Sequence, residues 1–416
     1  MANIKQRVSL EAARKTLLPY AAATGTESLP FADSFGRVAS ETIFSSVYVP
    51  PFDRSSVDGY AFRAQDVIVA SPENSVTLKI TEEITAGYMP KVEVTPLTAA
   101  KVLTGAPVPK GADCVIRFEE TEFTEQTVKI SSPVKKNINV VPMGEDIRQG
   151  DIILNKGEII SSAHIGLLAS VDCLKILVNR RPRVALINTG DEITEPGTPM
   201  AQGQIRNSSR YTIAAILREN GAEVDDGYIV KDECEPLAAC LTASLEKCDM
   251  VITTGGVSVG DYDMVRRAVN LLGGEELFWK VAFRPGGTIL AAMSGGKIIL
   301  GLSGNPASAV LGLNLLGLPF LRLLSGQADV YPKLVKTRLI KPILKDSQHG
   351  RLVRGRLTSE EGLMCFAPIS SEGHGAVSSI IGCDMIASIP PGTPPLSAGE
   401  TIDAFWLSSL TRDIKG

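Results

Sequence analysis

Aromatic residues are scarce in this sequence: they make up 5% of the 416 residues, and only two of them are tryptophan. Proteins that bind single-stranded nucleic acid commonly stack bases on exposed aromatic rings, and this composition argues against such a surface. An excess of positive charge is also absent, since the formal net charge is −4. A mildly acidic chain has no general attraction for nucleic acid or for an anionic membrane, so we expect neither as a partner.

The seven cysteines include no C-x-x-C pair, and the three histidines lie far apart in the sequence. This pattern predicts neither a disulfide framework nor a zinc site, and it is typical of reduced thiols in the cytoplasm. The amino terminus does not resemble a secretory signal. The most apolar stretch, 309–324, is interrupted by Asn314, Pro319 and Arg322, so we predict no membrane span. We expect a cytoplasmic protein.

The pattern of apolar runs predicts a multidomain protein of the α/β plus β class. A chain of 416 residues is too long for one core at roughly 100–200 residues per domain. Between residues 183 and 318, short apolar runs alternate with segments of helical length, which indicates βαβ units and a mainly parallel sheet. Residues 45–140 alternate with period two and predict a β-rich module, flanked by helical patterns at 8–20 and 162–169. After about Pro332, short runs between glycines and prolines predict a small β barrel or sandwich.

Four glycine-bearing turns follow predicted strands, at 189–192, 255–263, 284–287 and 303–306. Because parallel strands end at one edge of a sheet, we expect these turns to meet along one rim. Glycine lets main-chain N–H groups approach an anion, and a helix N-terminus adds partial positive charge. Each turn alone is also explained by folding, but the four together favour a pocket for a phosphate or another oxyanion ester. The candidate binding residues are Gly190, Asp191, Gly255, Gly256, Ser258, Gly260, Pro285, Gly286, Gly304, Asn305 and Pro306.

Charged residues close to the same turns extend this hypothesis. Lys280 and Arg284 supply positive charge beside the predicted pocket. Glu192, Asp232 and Asp263 lie at or just beyond strand ends, where a divalent cation is the simplest reason for carboxylates beside an anion. A capping role explains any one of these carboxylates equally well. The sequence has neither G-x-x-x-x-G-K-[ST] nor G-x-G-x-x-G, which disfavours a P-loop NTPase or a dinucleotide-binding fold.

Two segments of the β-rich module, 53–61 and 103–107, are typical of turns when taken alone, and Asp58-Gly59 is typical of a hairpin. Together with the other turns, however, they give the chain a resemblance to the molybdopterin molybdenumtransferases, a bacterial family related to the E domain of gephyrin. The matching segments keep the family order: SSVDGYA (55–61), TGAPVPKGAD (104–113), GEDIRQGD (144–151), NTGDEI (188–193), TTGGVSVGDYD (253–263), RPGG (284–287) and SGNPASA (303–309).

The resemblance implies a fold of four domains. An elongated helical and β first domain would be discontinuous, covering 1–44 and 141–180, with an inserted β domain at 45–140. A three-layer α/β domain of the molybdopterin-binding type would cover 181–328, and a C-terminal β barrel 329–416. Members of the family form homodimers, with each active site between the α/β domain of one subunit and the β domain of the other. Asp58 and Thr104 would therefore meet the turns of a second subunit.

The reaction implied by the resemblance belongs to molybdenum cofactor biosynthesis. Molybdate is inserted into adenylylated molybdopterin, AMP is released, and Mg²⁺ assists. The implied catalytic residues are Asp58, Glu192, Asp263, Lys280 and Arg284. The implied metal ligands are Asp58, Asp146 and Glu192, and Thr104 and Asp232 would bind substrate together with the residues of the four turns. Carboxylates would position metal and water, while the two cations would offset phosphate or molybdate charge.

The chain departs from the family pattern at three positions of the proposed oxyanion site. Arg284 replaces a lysine, Gly287 replaces the second lysine of K-P-G-K, and Ser303 replaces the proline of L-P-G-N-P. These departures keep open a tungstate-inserting paralogue and a molybdopterin carrier or scaffold without turnover. The shared type of α/β domain keeps open an activity like that of molybdopterin adenylyltransferase. Molybdopterin adenylyltransferase and apo-molybdoenzymes are the partners that the resemblance implies.

Overall fold

A seven-stranded sheet forms the centre of the α/β domain. The chain is described by a computed structural model that covers residues 6–257, 263–344, 349–369 and 377–407. Four of the six neighbouring strand pairs are parallel, so the predicted mainly parallel sheet is confirmed. In order across the sheet, the strands are Gln6–Val8, Glu275–Val281, Leu290–Ser294, Lys297–Leu302, Met250–Thr254, Arg183–Thr189 and Glu223–Val230.

Helices cover both faces of this sheet because its central strands are apolar on both sides. In one of these strands, Val184 and Leu186 contribute to one buried cluster while Ala185 and Ile187 contribute to another. Such continuous apolar runs are typical of strands between two helical layers. The three-layer arrangement is therefore confirmed. The helices of the first layer are Ser208–Glu219 and Pro306–Gly312, and those of the second are Cys234–Lys247 and Met264–Leu271.

One hairpin in this sheet was not predicted. Leu290–Ser294 pairs antiparallel with both Glu275–Val281 and Lys297–Leu302. Its turn is Gly295-Gly296, with φ values of +57° and +77°, a left-handed conformation that tight hairpins need and that glycine adopts freely. A Gly-Gly pair between two apolar runs is the sequence signal for such a hairpin. Because of the added strand, Glu275–Val281 and Lys297–Leu302 run in the same direction and end at the same edge.

The most apolar helical segment packs inside the α/β domain. It consists of Pro306–Gly312, a π-helical turn Leu313–Gly317, and Leu318–Leu324. Pro319 has no backbone N–H to continue the helical ladder, and the wider π turn before it accommodates that interruption. Within the described ranges, this is the one helix long and apolar enough to cross a membrane, and 89% of its apolar window is buried inside the protein, as in a core helix.

The first described strand and helix also belong to this layer structure. Gln6–Val8 pairs parallel with the edge strand Glu275–Val281. The helix Leu10–Leu17 follows, and the hydroxyl of Ser9 caps it by accepting from the N–H of Ala12 at 3.1 Å. Its residue Leu17 is fully buried in the α/β core. Residues 6–17, which the resemblance implied for the first domain, thus pack on the α/β sheet.

The rest of the first domain is built from short antiparallel strands and one helix. The helix Ser162–Ser170 begins at a capping box, in which Ser161 and His164 each accept a hydrogen bond from the backbone N–H of the other. A separate buried cluster, which includes Leu154 and Leu168, forms its core. The strand pairs are Thr26–Pro30 with Lys175–Asn179, and Ile43–Phe44 with Ile152–Leu154.

The β-rich module forms a six-stranded sheet of its own. Its core surrounds the buried Tyr60, Phe62 and Leu78. The short strands Arg54–Ser55 and Val140–Val141 pair where the chain enters and leaves the module. In order across the sheet, the strands are Cys114–Arg117, Gly59–Phe62, Thr98–Val102, Val76–Ile84, Thr127–Ile130 and Glu122–Phe123.

The C-terminal domain is a closed five-stranded barrel, as the resemblance implied. Pairing of Gly350–Glu360 with Met385–Ile389 closes it. A short strand of the α/β domain, Phe283–Arg284, adds to the barrel parallel to Gly350 and Arg351. The other barrel strands are Leu334–Leu339, Leu363–Pro368 and Thr401–Trp406. Short 3₁₀ turns occur at Leu18–Tyr20, Phe31–Asp33, Ala64–Val67, Phe118–Glu120 and Val377–Ile380.

We expect Leu17→Ala to lower the free energy of unfolding by about 2–5 kcal/mol, the usual range for a leucine truncated in a packed core. Lys15→Ala is the matched control, because Lys15 lies on the exposed face of the same helix and should leave stability nearly unchanged. Chemical denaturation of both variants measures the difference. Equal effects would contradict the docking of this helix on the α/β core.

Candidate active site

The four glycine-bearing turns lie along one edge of the central sheet. They follow the strands Arg183–Thr189, Met250–Thr254, Glu275–Val281 and Lys297–Leu302, which all run in the same direction. The N–H of Gly255 donates to the carbonyl oxygen of Leu302 at 3.2 Å, which joins this turn to the strand end just before the turn 303–306. We call this edge the rim. Two of the predicted binding residues, Ser258 and Gly260, lie outside the described residues.

Glycine is required where the turns touch each other. Gly255 and Gly256 have φ values of +88° and +63°, and a Cβ on Gly255 would lie 2.4 Å from the carbonyl oxygen of Thr189. A Cβ on Gly304 would lie 3.3 Å from the Cα of Gly255. Three turns therefore meet backbone to backbone, and a side chain at Gly255 would push them apart.

The turn 303–306 holds the start of a buried helix. Asn305 caps this helix, since its Oδ1 accepts from the N–H of Ser308 at 3.3 Å, and Pro306 occupies the first helical position, where no useful donor is lost. The hydroxyl of Ser303 accepts from the N–H of Asn305 at 3.3 Å, and the hydroxyl of Ser209 donates to the carbonyl of Gly304 at 3.2 Å. Hydrogen bonds thus fix the turn although Ser303 replaces the proline of the family pattern.

The turn 284–287 contains a cis peptide bond between Arg284 and Pro285 and packs closely against its surroundings. A Cβ on Gly286 would lie 2.8 Å from the carbonyl oxygen of Ser308. The carbonyl of Gly287 accepts from the N–H of Val281 at 2.7 Å, and a Cβ there would lie 2.3–2.4 Å from two carbonyl oxygens. The missing lysine at position 287 therefore has a structural reason: this backbone leaves no room for a side chain.

Three carboxylates interact at the ends of two neighbouring strands of the rim. Burial raises the pKa of Asp232, and the negative charges of Asp191 and Glu192 raise it further, while the hydroxyl of Thr189 lowers it. Gly190 lets the backbone approach the carboxylate of Glu192, because a Cβ there would lie 2.6 Å from Oε2. The negative charges of Asp191 and Glu192 thus reach Asp232 and disfavour its ionisation, an effect that a bound cation would relieve.

Asp263 and Lys280 lie on two neighbouring elements of the α/β domain. Asp263 is 6% exposed and caps the helix Met264–Leu271, because its Oδ1 accepts from the N–H of Arg266 at 3.3 Å. Burial raises the pKa of Asp263, while this hydrogen bond and the charges of Arg266 and Lys280 lower it. The capping role, one of the two interpretations that the sequence allowed, is therefore the one observed, with a cation close by.

Asp58 and Thr104 form a separate part of the candidate site, in the β-rich module. The Oδ1 atom of Asp58 accepts from both the N–H of Thr104, at 2.6 Å, and its hydroxyl, at 2.8 Å. These two hydrogen bonds, led by the backbone one, lower the pKa of the exposed Asp58. Gly59 does not form a hairpin turn: it begins the strand Gly59–Phe62, where a Cβ would lie 1.9 Å from the carbonyl oxygen of Ile116. The module therefore presents an ionised, fixed carboxylate.

The predicted metal ligands do not form a metal site within one chain. Asp146 is exposed and lies in a loop, and its own backbone N–H donates to the carbonyl of Val49. Across the described ranges, no group of three or more His, Cys, Asp or Glu side chains is arranged to hold a metal ion. Asp58, Asp146 and Glu192 are therefore not assembled as a set in the described part of the chain.

The sequence analysis missed the residues that fix the long loop after the turn 189–192. The carboxylate of Glu195 accepts from the hydroxyl of Tyr211 at 2.7 Å and from the amide of Asn207 at 3.1 Å, and it pairs with Arg210 at 3.1 Å. Short strands, Ile193–Thr194 and Ile205–Arg206, close the loop. Asn207 caps the next helix, so a capping residue before a predicted helix was the available signal. No local pattern identifies Glu195.

A cavity of about 740 Å³ lies away from the rim, where three domains meet. Its lining includes Gly36, Gly221 and Lys333 but none of the predicted site residues. Gly221 follows the end of the helix Ser208–Glu219, whose start contacts Gly304 through Ser209. The cavity therefore lies toward the opposite edge of the sheet from the candidate active site.

We expect Gly287→Lys, which introduces the residue usual in the family, to destabilise the protein by about 1–3 kcal/mol, the cost of overpacking a tight site. The clash with two carbonyl oxygens is the reason. Gly227→Lys is the control, because a Cβ at that exposed strand position meets no atom within 4 Å. Thermal unfolding measures both changes. A Gly287→Lys variant as stable as the control would show that the turn adapts without cost.

Comparison with known proteins places this arrangement in a family. Three family models match: "MoeA N-terminal region (domain I and II)" at 8–171, "Probable molybdopterin binding domain" at 185–323, and "MoeA C-terminal region (domain IV)" at 336–407. A molybdopterin molybdenumtransferase of Staphylococcus aureus is 34% identical over 376 residues, 90% of each chain. One from Staphylococcus epidermidis is 34% identical over 377 residues, 91% of this chain and 90% of that protein.

Solved structures agree with these sequence relatives. A molybdopterin biosynthesis MoeA protein from Pyrococcus horikosii has a TM-score of 0.84 and 32% identity, covering 96% of this chain and 99% of that one. A second structure, from Pyrococcus horikoshii OT3, has a TM-score of 0.83 and 28% identity, covering 96% of this chain and all of that one. The matches extend over all the domains described above. The chain therefore belongs to the molybdopterin molybdenumtransferase (MoeA) family.

Proposed function

We propose that this protein inserts molybdate into adenylylated molybdopterin and releases AMP, as a molybdopterin molybdenumtransferase. The observation that carries the proposal is the meeting of four backbone turns at one rim of a molybdopterin-binding type domain. An adenylylated pterin and molybdate are both anions, and exposed main-chain N–H groups and helix starts favour anions. Removal of AMP is a hydrolysis: water adds to phosphorus, the bond to AMP breaks, and no electrons are transferred.

Uncharged, positively charged and negatively charged residues of the site would have different roles in this reaction. Gly255 and Gly256 carry no side chain, so the backbone of this turn can approach a phosphate closely. The exposed Arg284 and the half-buried Lys280 offset the charge of the phosphate or molybdate. Asp58 stays ionised because Thr104 donates two hydrogen bonds to it, and a fixed carboxylate can orient water or metal.

We include Mg²⁺ in the proposal as an aid to this reaction. The negative charges of Asp191 and Glu192 raise the pKa of Asp232, and a cation bound close to them would offset this repulsion. Mg²⁺ is commonly held by one or two carboxylates together with substrate phosphates and water, so a set of three protein ligands in one subunit is not required. When bound, the ion would polarise a phosphoryl oxygen. Glu192 is the rim residue that we assign to it, with Asp58 and Asp146 completing the set from a second subunit.

A homodimer is part of the same proposal. Asp58 and Thr104 belong to the β-rich module, whereas the rim belongs to the α/β domain. In a symmetric dimer, the β-rich module of each subunit would meet the rim of the other subunit, which gives two identical sites. We further propose that the protein works in the cytoplasm and exchanges its substrate and product with molybdopterin adenylyltransferase and apo-molybdoenzymes.

We expect Asp58→Asn to lower the rate of AMP release by about 100-fold or more, because asparagine keeps the shape but removes the charge. The assay mixes purified protein with adenylylated molybdopterin, molybdate and Mg²⁺ and measures AMP and active cofactor. Glu122→Gln, an exposed carboxylate of the same module, is the control and should keep normal activity.

The outcomes of this assay separate the alternatives. Binding of molybdopterin without AMP release by the unaltered protein would favour a carrier or scaffold. Turnover of ATP with molybdopterin would favour an adenylyltransferase. Preference for tungstate over molybdate in the same assay would favour a tungstate-inserting paralogue.

Mixing two inactive variants tests the shared site. Asp58→Asn alters the β-rich module and Glu192→Gln alters the rim, so a mixed dimer would contain one intact site. We expect the mixture to recover about a quarter of normal activity, since roughly half the dimers are mixed and each has one working site of two. Glu192→Gln mixed with Asp232→Asn, two rim variants, should recover nothing. Equal recovery of activity in both mixtures, or no recovery in either mixture, would contradict the shared site.

A further inference from the structure

We infer that Trp279 is a positioning residue that holds the ammonium group of Lys280 in place for the oxyanion substrate. The inference rests on the proposed function, because it concerns how the protein offsets the negative charge of molybdate. The Nζ atom of Lys280 lies 3.8 Å from the centre of the Trp279 ring. A cation over the face of an indole is attracted by the negative potential of the ring.

The backbone of the strand is what makes this contact between neighbouring residues geometrically possible. Successive residues of a regular strand point to opposite faces of the sheet, so Trp279 and Lys280 would normally be apart. Lys280 has a φ of +67°, in the left-handed region, which breaks the alternation at this residue. Hydrogen bonds fix the conformation: the N–H of Lys280 donates to Ile289 at 2.9 Å and that of Val281 to Gly287 at 2.7 Å. An unusual backbone is thus maintained at the residue that carries the cation.

The ring itself is held by a second cation on the neighbouring helix. The guanidinium carbon of Arg266 lies 5.0 Å from the centre of the Trp279 ring. The Nε atom of Arg266 contacts both carboxylate oxygens of Glu276, at 2.7 and 2.8 Å, and the Glu276 side chain is 5% exposed. The chain of contacts from Glu276 through Arg266 and Trp279 to Lys280 therefore starts from a buried anchor.

A fixed cation has particular value at this rim. The turn 284–287 has no space for a lysine at position 287. The positive charge at this part of the rim therefore comes from Lys280 and Arg284. Lysine has a flexible stem and loses much rotamer freedom when it pairs with an anion. Contact with Trp279 restricts that freedom before the substrate arrives, which is the general advantage of preorganised sites. Trp279 would thus act on molybdate binding through Lys280, without touching the reacting atoms.

Fluorescence gives a test that does not depend on turnover. The chain has two tryptophans, so Trp406→Phe leaves Trp279 as the sole indole. Titration of this full-length variant with sodium molybdate should give a saturable change in emission, because the anion binds to the ammonium group that lies on the indole ring. Adding Lys280→Gln should abolish the change, while adding Lys175→Gln, an exposed lysine of the first domain, should not. A response that persists without Lys280, or no response at all, would overturn the inference.

Kinetics provide the second test. We expect Trp279→Leu to raise the KM for molybdate about tenfold, the size of a partly desolvated cation–π contact, and to change kcat less. Trp279→Phe should restore most of the affinity because it keeps an aromatic face. Arg266→Gln keeps the indole but removes the cation that holds it, so it should have an intermediate effect; a normal kcat in the leucine variant shows that it is folded. Equal KM values for the leucine variant and the unaltered protein, or for the leucine and phenylalanine variants, would overturn the inference.

The two hypotheses fail in different ways. If the unaltered protein releases no AMP, the proposed function is wrong, and the fluorescence titration still reports whether Trp279 and Lys280 respond together to molybdate. If the unaltered protein is active but none of the Trp279 variants changes KM, the positioning role is wrong and the proposed function stands.

Discussion

Direct contact between backbone segments at the rim is the constraint on which the rest of the site depends. The carbonyl of Thr189, the Cα of Gly255 and the turn at Gly304 approach so closely that no side chain fits between them. Van der Waals contact between backbone atoms therefore sets the spacing of the turns. The charged side chains, such as Lys280 and Glu192, lie around this framework and can vary in type without moving it. Ser303 is tolerated in place of the family's proline because a hydrogen bond fixes the turn that the rigid proline ring would otherwise fix.

The two parts of the candidate site are prepared in different ways. The rim is shaped by strand direction, since four strands end at one edge and each contributes a turn. In the β-rich module, side-chain chemistry dominates: two hydrogen bonds from Thr104 fix one oxygen of Asp58 and favour its charged form. The rim therefore depends on backbone packing, whereas the module depends on a pair of hydrogen bonds to one side chain.

Much of the architecture could be predicted because its signals are local. The strand and helix alternation of the α/β domain follows from apolar periodicity, and the rim follows from the rule that parallel strands end together. The contacts that were missed join residues, or require backbone conformations, that become visible only in the folded structure. The pairing of Gln6–Val8 with Glu275–Val281 joins segments far apart in sequence. The contact of Lys280 with Trp279 requires a left-handed residue that sequence patterns do not reveal, because non-glycine residues rarely adopt it. The structural reason for Gly287 is likewise visible only from the carbonyl oxygens around it.

The first described strand also affects how the protein assembles. Gln6 and Val8 pair with Trp279 and Val281, and the N–H of Ala282 donates to the carbonyl of Val8 at 2.8 Å. This strand covers an apolar sheet edge that would otherwise be open to pairing with other chains. The two partners are separated by most of the α/β domain and all of two others, so their contact closes one of the longest loops in the fold. Long-range pairings of this kind slow folding, and during synthesis the first strand is made long before its partner. The segment that carries Lys280 is itself made only when about two thirds of the chain has been synthesised, so its pairing with the first strand comes late.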